Sequence, residues 1–96
     1  MKVDFSKPFK ALDGTTDLVI DGKTLIMGQY LADKIVSEQS GEQVMSMMMF
    51  DFATTLFQAK GEIEIEESHK EIIKRACSKM VVMFSAQILK IVNNAN

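Results

Sequence analysis

The sequence predicts an α+β fold, mostly helical, in which an N-terminal β-hairpin or pair of short strands precedes three to four packed helices. Three observations predict it. Asp-Gly turn signals occur only in the first quarter, at Asp13-Gly14 and Asp21-Gly22. From Leu25 onward, apolar residues recur mostly at helical spacing. One stretch, Glu62-Ile63-Glu64-Ile65-Glu66, alternates strictly, as a half-buried strand does. A chain of 96 residues is one domain, with residues 1–24 as the hairpin region and 25–93 as a helical region holding a short strand near 62–66. The apolar share of 47% excludes wholesale disorder.

The N-terminal elements follow from their turns. Val3–Phe9 is extended but broken by Pro8, which cannot donate to a ladder. Asp17-Leu18-Val19-Ile20 is a short β-type run between the two Asp-Gly turns. Lys23–Met27 then forms either a third short strand or the start of a helix.

The first helix is expected over Leu25–Glu38, with Thr24 as its cap and Leu31 and Ile35 on one face. Gly28 costs such a helix about 1 kcal/mol against Ala. It either permits close packing against the hairpin or means that the helix starts later. Ser40 and Gln43 fit a capping box for a second helix running to about Ala59, with Gly61 as its stop. Val44, Met45, Met47, Met48, Met49, Phe50, Phe52, Ala53, Leu56 and Phe57 cover most of that helix. A helix apolar nearly all round is normally buried on several sides, which one small subunit can hardly provide. Val44, Met45, Met47, Met48, Met49, Phe50, Phe52, Leu56 and Phe57 are therefore the expected oligomer or partner interface.

The strand at 62–66 should face Ile63 and Ile65 inward and three glutamates outward. Ser68 and Glu71 form a second capping box. The helix behind it turns Ile72, Ile73, Ala76, Cys77 and Met80 inward. Residues 69–92 form one long helix or two with a bend near Ser78–Val82, and the β-branched pair Val81-Val82 favours the bend.

Charge and cysteine content narrow the functional classes. A net charge of −2 and a pI of about 5.3 give no global pull toward nucleic acid or an anionic membrane. A single cysteine allows no internal disulfide, so a cytoplasmic, reducing setting is expected. Met1–Ser6 lacks the apolar stretch of a signal peptide, and no apolar run approaches a membrane span.

Catalytic and cofactor chemistry finds no foothold. His69 is the only histidine and is expected exposed in a first helical turn; the plainer account is a solvated surface residue. Cys77, on an apolar face, packs as a small hydrophobe. Glu62, Glu64, Glu66 and Glu67 are the only dense ligand set, and a solubilising outer face explains them better than a metal. No phosphate-cradling glycine loop is present. Neither an enzyme nor a cofactor is expected. Lys70, Lys74, Arg75 and Lys79 are a possible anion site, of which Lys70, Lys74 and Lys79 form a stripe opposite the apolar face. An ordinary solvated face, helped by Glu71–Arg75 pairing, explains them as well.

Met1-Lys2-Val3-Asp4-Phe5-Ser6, Leu12-Asp13-Gly14 and Asp21-Gly22-Lys23-Thr24-Leu25 with Gly28, then Glu64-Ile65 before the Ser68 helix and Gln87-Ile88-Leu89, together resemble small accessory proteins of tailed phages and prophages. The resemblance lies in the order of turns and apolar positions and implies a phage setting, hence the host cytoplasm. The expected function is a non-enzymatic protein that oligomerises and binds or inhibits a host or defence component. Two alternatives stand beside it: a morphogenesis factor, such as a tail or head assembly chaperone or minor virion protein, and a nucleotide-binding sponge built on the lysine stripe.

Overall fold

The first strand finds its partner far along the chain. In the computed structural model, which describes residues 1–38 and 43–94, β1 (Lys2–Asp4) pairs antiparallel with β4 (Glu62–Glu64), Val3 opposite Ile63. Ile65 extends the pairing by donating its N–H to the Met1 carbonyl at 2.8 Å. β1 is thus not a hairpin partner for residues 17–20. Its turn away is set locally: Asp4 accepts the Ser6 N–H at 2.9 Å and the Ser6 hydroxyl, which bends the chain before Pro8.

A separate hairpin occupies residues 9–24. Phe9–Ala11 runs against Thr16–Leu18, with Ala11 N–H on the Thr16 carbonyl and Leu18 N–H on the Phe9 carbonyl, each at 2.8 Å. Asp13 closes the turn by accepting the Thr15 and Thr16 N–H groups and the Thr16 hydroxyl. These bonds hold its carboxyl down at about 2. β2 (Val19–Ile20) and β3 (Lys23–Thr24) are then joined by Asp21 and Gly22, with φ of 53° and 78°. Positive φ at both central residues makes the two-residue turn whose twist matches a hairpin.

The first helix, α1 (Met27–Val36), starts later than expected, because Thr24 is spent in β3. Its N-cap residue is Ile26, which offers no side-chain acceptor. The first orphan donors go to backbone instead: Met27 N–H to the Lys7 carbonyl at 2.9 Å and Gly28 N–H to the Phe5 carbonyl at 2.8 Å. At Gly28 the chain approaches itself closely. A Cβ there would lie 2.7 Å from the Leu56 carbonyl oxygen, 3.0 Å from that of Phe5 and 3.2 Å from the Phe5 Cβ. Close packing is therefore what this glycine permits.

The second helix, α2 (Gln43–Gln58), packs on α1. The expected cap at Ser40 lies outside the described residues. Gly61 is not the stop expected of it. It is not among the positive-φ glycines of the described residues, Gly14 and Gly22, and it leads directly into β4. The strand itself ends at Glu64, two residues early, because Glu66 is taken up in starting α3 (Glu67–Cys77). α4 (Val82–Asn94) follows, so the bend at Ser78–Val81 divides two helices. Both α1 and α4 pack on α3.

Phe5, Phe9, Leu31, Ile35, Leu56, Ile73 and Ile88 are the largest fully buried side chains, and they come from nearly every segment. Phe9, Tyr30 and Phe84 form an aromatic cluster with centroids 4.7–5.5 Å apart. Beside it, the Gln87 amide exchanges two 2.8 Å hydrogen bonds with the backbone of Lys10, tying the hairpin to α4.

Gly28→Ala should destabilise the protein by about 1–3 kcal/mol, since overpacking against two backbone oxygens outweighs the gain of about 1 kcal/mol in helix propensity. Gly61→Ala, with nothing within 4 Å of the added carbon, should change little. Urea unfolding of both variants checks this; equal midpoints would contradict it.

Candidate functional site

The site is built around α2. Met49, Phe52, Ala53 and Leu56 form one stripe of that helix and are buried in the core. Met49, Phe52 and Leu56 were expected at an interface; they are filled by α1 and the rest of this chain. The period-3.6 pattern could not separate them from their neighbours, because nearly every position in 44–57 is apolar. Val44, Met47, Phe50 and Phe57 stand more than half exposed, at 63%, 67%, 64% and 52%. Met48 is just over one-third exposed and Met45 half-buried.

Two flanks of this open face differ. Toward α1, Phe50 and Phe57 border shallow hollows shared with Val36, itself exposed. Toward α3 lies a larger groove of about 590 Å³, with Met45, Met48 and Met49 along one wall and Glu71, Ile72, Lys74 and Arg75 along the other. α2 and α3 both lean on α1 and meet at one end of the groove, where the Phe52 ring stacks on the His69 imidazole with centroids 4.2 Å apart and planes parallel within 1°.

That stack corrects the expectation of a solvated His69. Ser68 does not cap α3; Glu66 does, and the helix starts two residues before the position Ser68 would set. His69 thereby becomes the N3 residue of the capping box, and its Nδ1 accepts the Glu66 N–H at 3.1 Å. The half-buried imidazole is held by a hydrogen bond on one side and an aromatic face on the other.

The four cations are drawn into ion pairs. Lys70 pairs with Glu67 at 3.0 Å and Lys74 with Glu71 at 3.8 Å. The expected Glu71–Arg75 pair is not formed. Arg75 donates Nε to Glu38 Oε1 at 3.2 Å, and Lys79 donates to the same oxygen at 2.6 Å. Glu38 wins Arg75 because its side chain is only 3% exposed, whereas Glu71 is solvated. Glu38 Oε2 is buried and has no partner among the described residues. Nothing in the local sequence marks Glu38, since the contact spans 37 residues. The stripe is therefore not a free anion-binding row: Arg75 and Lys79 brace α3 against the end of α1, and Lys74 and Arg75 edge the groove.

Cys77 is buried, and burial raises its thiol to about 11. Glu62, Glu64 and Glu66 are exposed, as an outer face requires. Among the described residues no three His, Cys, Asp or Glu side chains converge as a metal site would need. What the arrangement offers chemically is an apolar, methionine-rich surface with a cationic edge, suited to binding by shape and charge. The chain matches no protein-family model, no curated protein and no solved structure.

Cys77 should resist a thiol reagent at pH 8 in the folded protein and react fully in denaturant. The neutral thiol's contribution to stability is complete below the ordinary value of 9.0 and is lost as pH rises toward 11. Rapid labelling of native protein at pH 8 would contradict this. His69→Ala removes both the Phe52 stack and the capping bond and should cost about 1–2 kcal/mol in urea unfolding.

Proposed function

We propose that the chain is a non-enzymatic phage accessory protein that self-associates and binds, and thereby inhibits, a host or defence component. The observation that carries the reading is the open apolar face of α2, where Val44, Met47 and Phe50 stand at 63%, 67% and 64% exposure. Contiguous apolar surface of this kind on a small protein marks a place where another protein sits. Methionine suits it, because its flexible, polarizable side chain adapts to a partner's shape.

Action by occupying a surface needs no reactive group, in keeping with a histidine held in a cap and a thiol kept neutral by burial. The phage setting rests on the resemblance of the Met1–Ser6 segment and the two Asp-Gly turns to small phage proteins. The host cytoplasm follows from that setting and from a single, buried cysteine. No helix among the described residues is long and apolar enough to cross a membrane. The nucleotide-sponge alternative draws less support, since Lys70, Lys74, Arg75 and Lys79 all have carboxylate partners.

Light scattering at micromolar concentration should return a mass that is a multiple of 10.8 kDa, and Met47→Glu should lower it without changing the far-ultraviolet circular dichroism. A compact wild-type monomer would overturn the self-association. Affinity capture from host lysate should recover the same host protein repeatedly and lose it with Phe50→Glu. Recovery of phage structural proteins instead would favour the morphogenesis alternative.

A further inference from the structure

Building on that self-association, we propose that the chain forms a two-fold dimer in which the N-terminal half of α2 from each copy lies in the groove between α2 and α3 of the other. The groove has a defined direction. Phe52 on His69 marks one end, next to the lining residues Met49 and Ser68. From there α2 runs back to Met45 and α3 runs forward to Ser78, both lining the same space of about 590 Å³. The two helices are thus antiparallel along it. Ser68 to Ser78 gives a wall about 15 Å long at 1.5 Å per residue, nearly three helical turns. That is the seat for one more helix, presented as anchors at i, i+3, i+4 and i+7.

The chain carries such a helix face next to the groove. Val44, Met47, Met48 and Asp51 have that spacing, and all four are exposed. The first three match the apolar wall of Met45, Met48, Met49 and Ile72. Asp51 has no ion pair among the described residues, whereas the far end of the groove carries Lys74 and Arg75. Lys74 is only loosely paired with Glu71, and Arg75 gives Glu38 its Nε, one of its five donors.

Symmetry brings these charges together. A two-fold interface joins one patch to the same patch on the second copy. If the two α2 helices cross antiparallel at Met48, a position three residues after it lies opposite the position three residues before it. The second copy's Asp51 then stands opposite Met45. Met49 and Ile72 each lie three residues from the ring stack, so at equal rise Met45, seven residues from it, lies level with Ala76, beside Arg75. The carboxylate arrives at the cationic edge, and it does so twice. An ordinary interface takes about 800 Å² from each partner, about an eighth of this chain's 6178 Å². Phe50, Phe57 and Val36 stay outside it, on the α1 side, free for the foreign partner.

Charge reversal tests the docking. Asp51→Lys and Lys74→Glu should each weaken the dimer about tenfold in sedimentation equilibrium, and the two together should restore it to near wild type. Both positions are exposed, and circular dichroism verifies the fold. Independently, Met48→Cys should oxidise to a covalent dimer across the two-fold axis while Phe57→Cys does not, Cys77 being buried and silent. A dimer indifferent to both reversals, or one that the double reversal fails to restore, overturns docking in the groove and leaves self-association standing. A wild-type monomer overturns both.

Discussion

Everything else in the fold depends on how closely α1 approaches two other backbones at Gly28. The Gly28 N–H reaches the Phe5 carbonyl at 2.8 Å, and the Leu56 carbonyl oxygen lies 2.7 Å from where a Cβ would stand. The N-terminal strand segment, the start of α1 and the end of α2 meet at this one residue. A methyl group would push α2 outward and lift Phe5, which is fully buried, from the core. The contact also caps α1, since carbonyls of Lys7 and Phe5 take the place of the missing side-chain cap.

With α1 as the hub, the open surface follows from geometry. α2 and α3 both rest on α1, and each buries one stripe. They touch at Phe52 and His69 and part beyond that point, so Met47 and Met48 in the first half of α2 stand exposed among the described residues. Glu38, at the end of α1, fixes the far side by receiving Arg75 and Lys79. The cations are half exposed, so these pairs add little net stability. Their effect is positional: they tie the second half of α3 to the end of α1.

Much of this was legible from the residues alone. The two Asp-Gly turns, the helices around Leu31, Phe52, Ile73 and Ile88, and the division at Ser78–Val81 all follow from local rules. The misses share a cause. β1 pairs with β4, Arg75 pairs with Glu38, and α1 is capped by Phe5 and Lys7; each is a contact between distant segments, for which sequence spacing carries no signal. The displaced cap of α3 is different. Ser68 and Glu71 fit the usual pattern, but burial of Ile65 and the ring stack on Phe52 favour a helix that starts at Glu67. In the candidate surface, composition marked residues 44–57 as apolar nearly all round, and the fold buries one stripe of them and leaves Val44, Met47, Phe50 and Phe57 exposed. Which of them face outward depended on the side from which α1 approached, and only the packing decides that.

The pairing of β1 with β4 also orders events during synthesis. Lys2–Asp4 leaves the ribosome well before its strand partner, Glu62–Glu64, which is made some sixty residues later. Until then Val3 and Phe5, both destined for burial, lack the partners that cover them in the fold. The hairpin at 9–24 closes early through local turns, whereas the segment before it waits. Closing so long a loop is slow relative to forming helices or tight turns. Final assembly is therefore a late event, in which β1, made long before β4, is among the last elements to find its place.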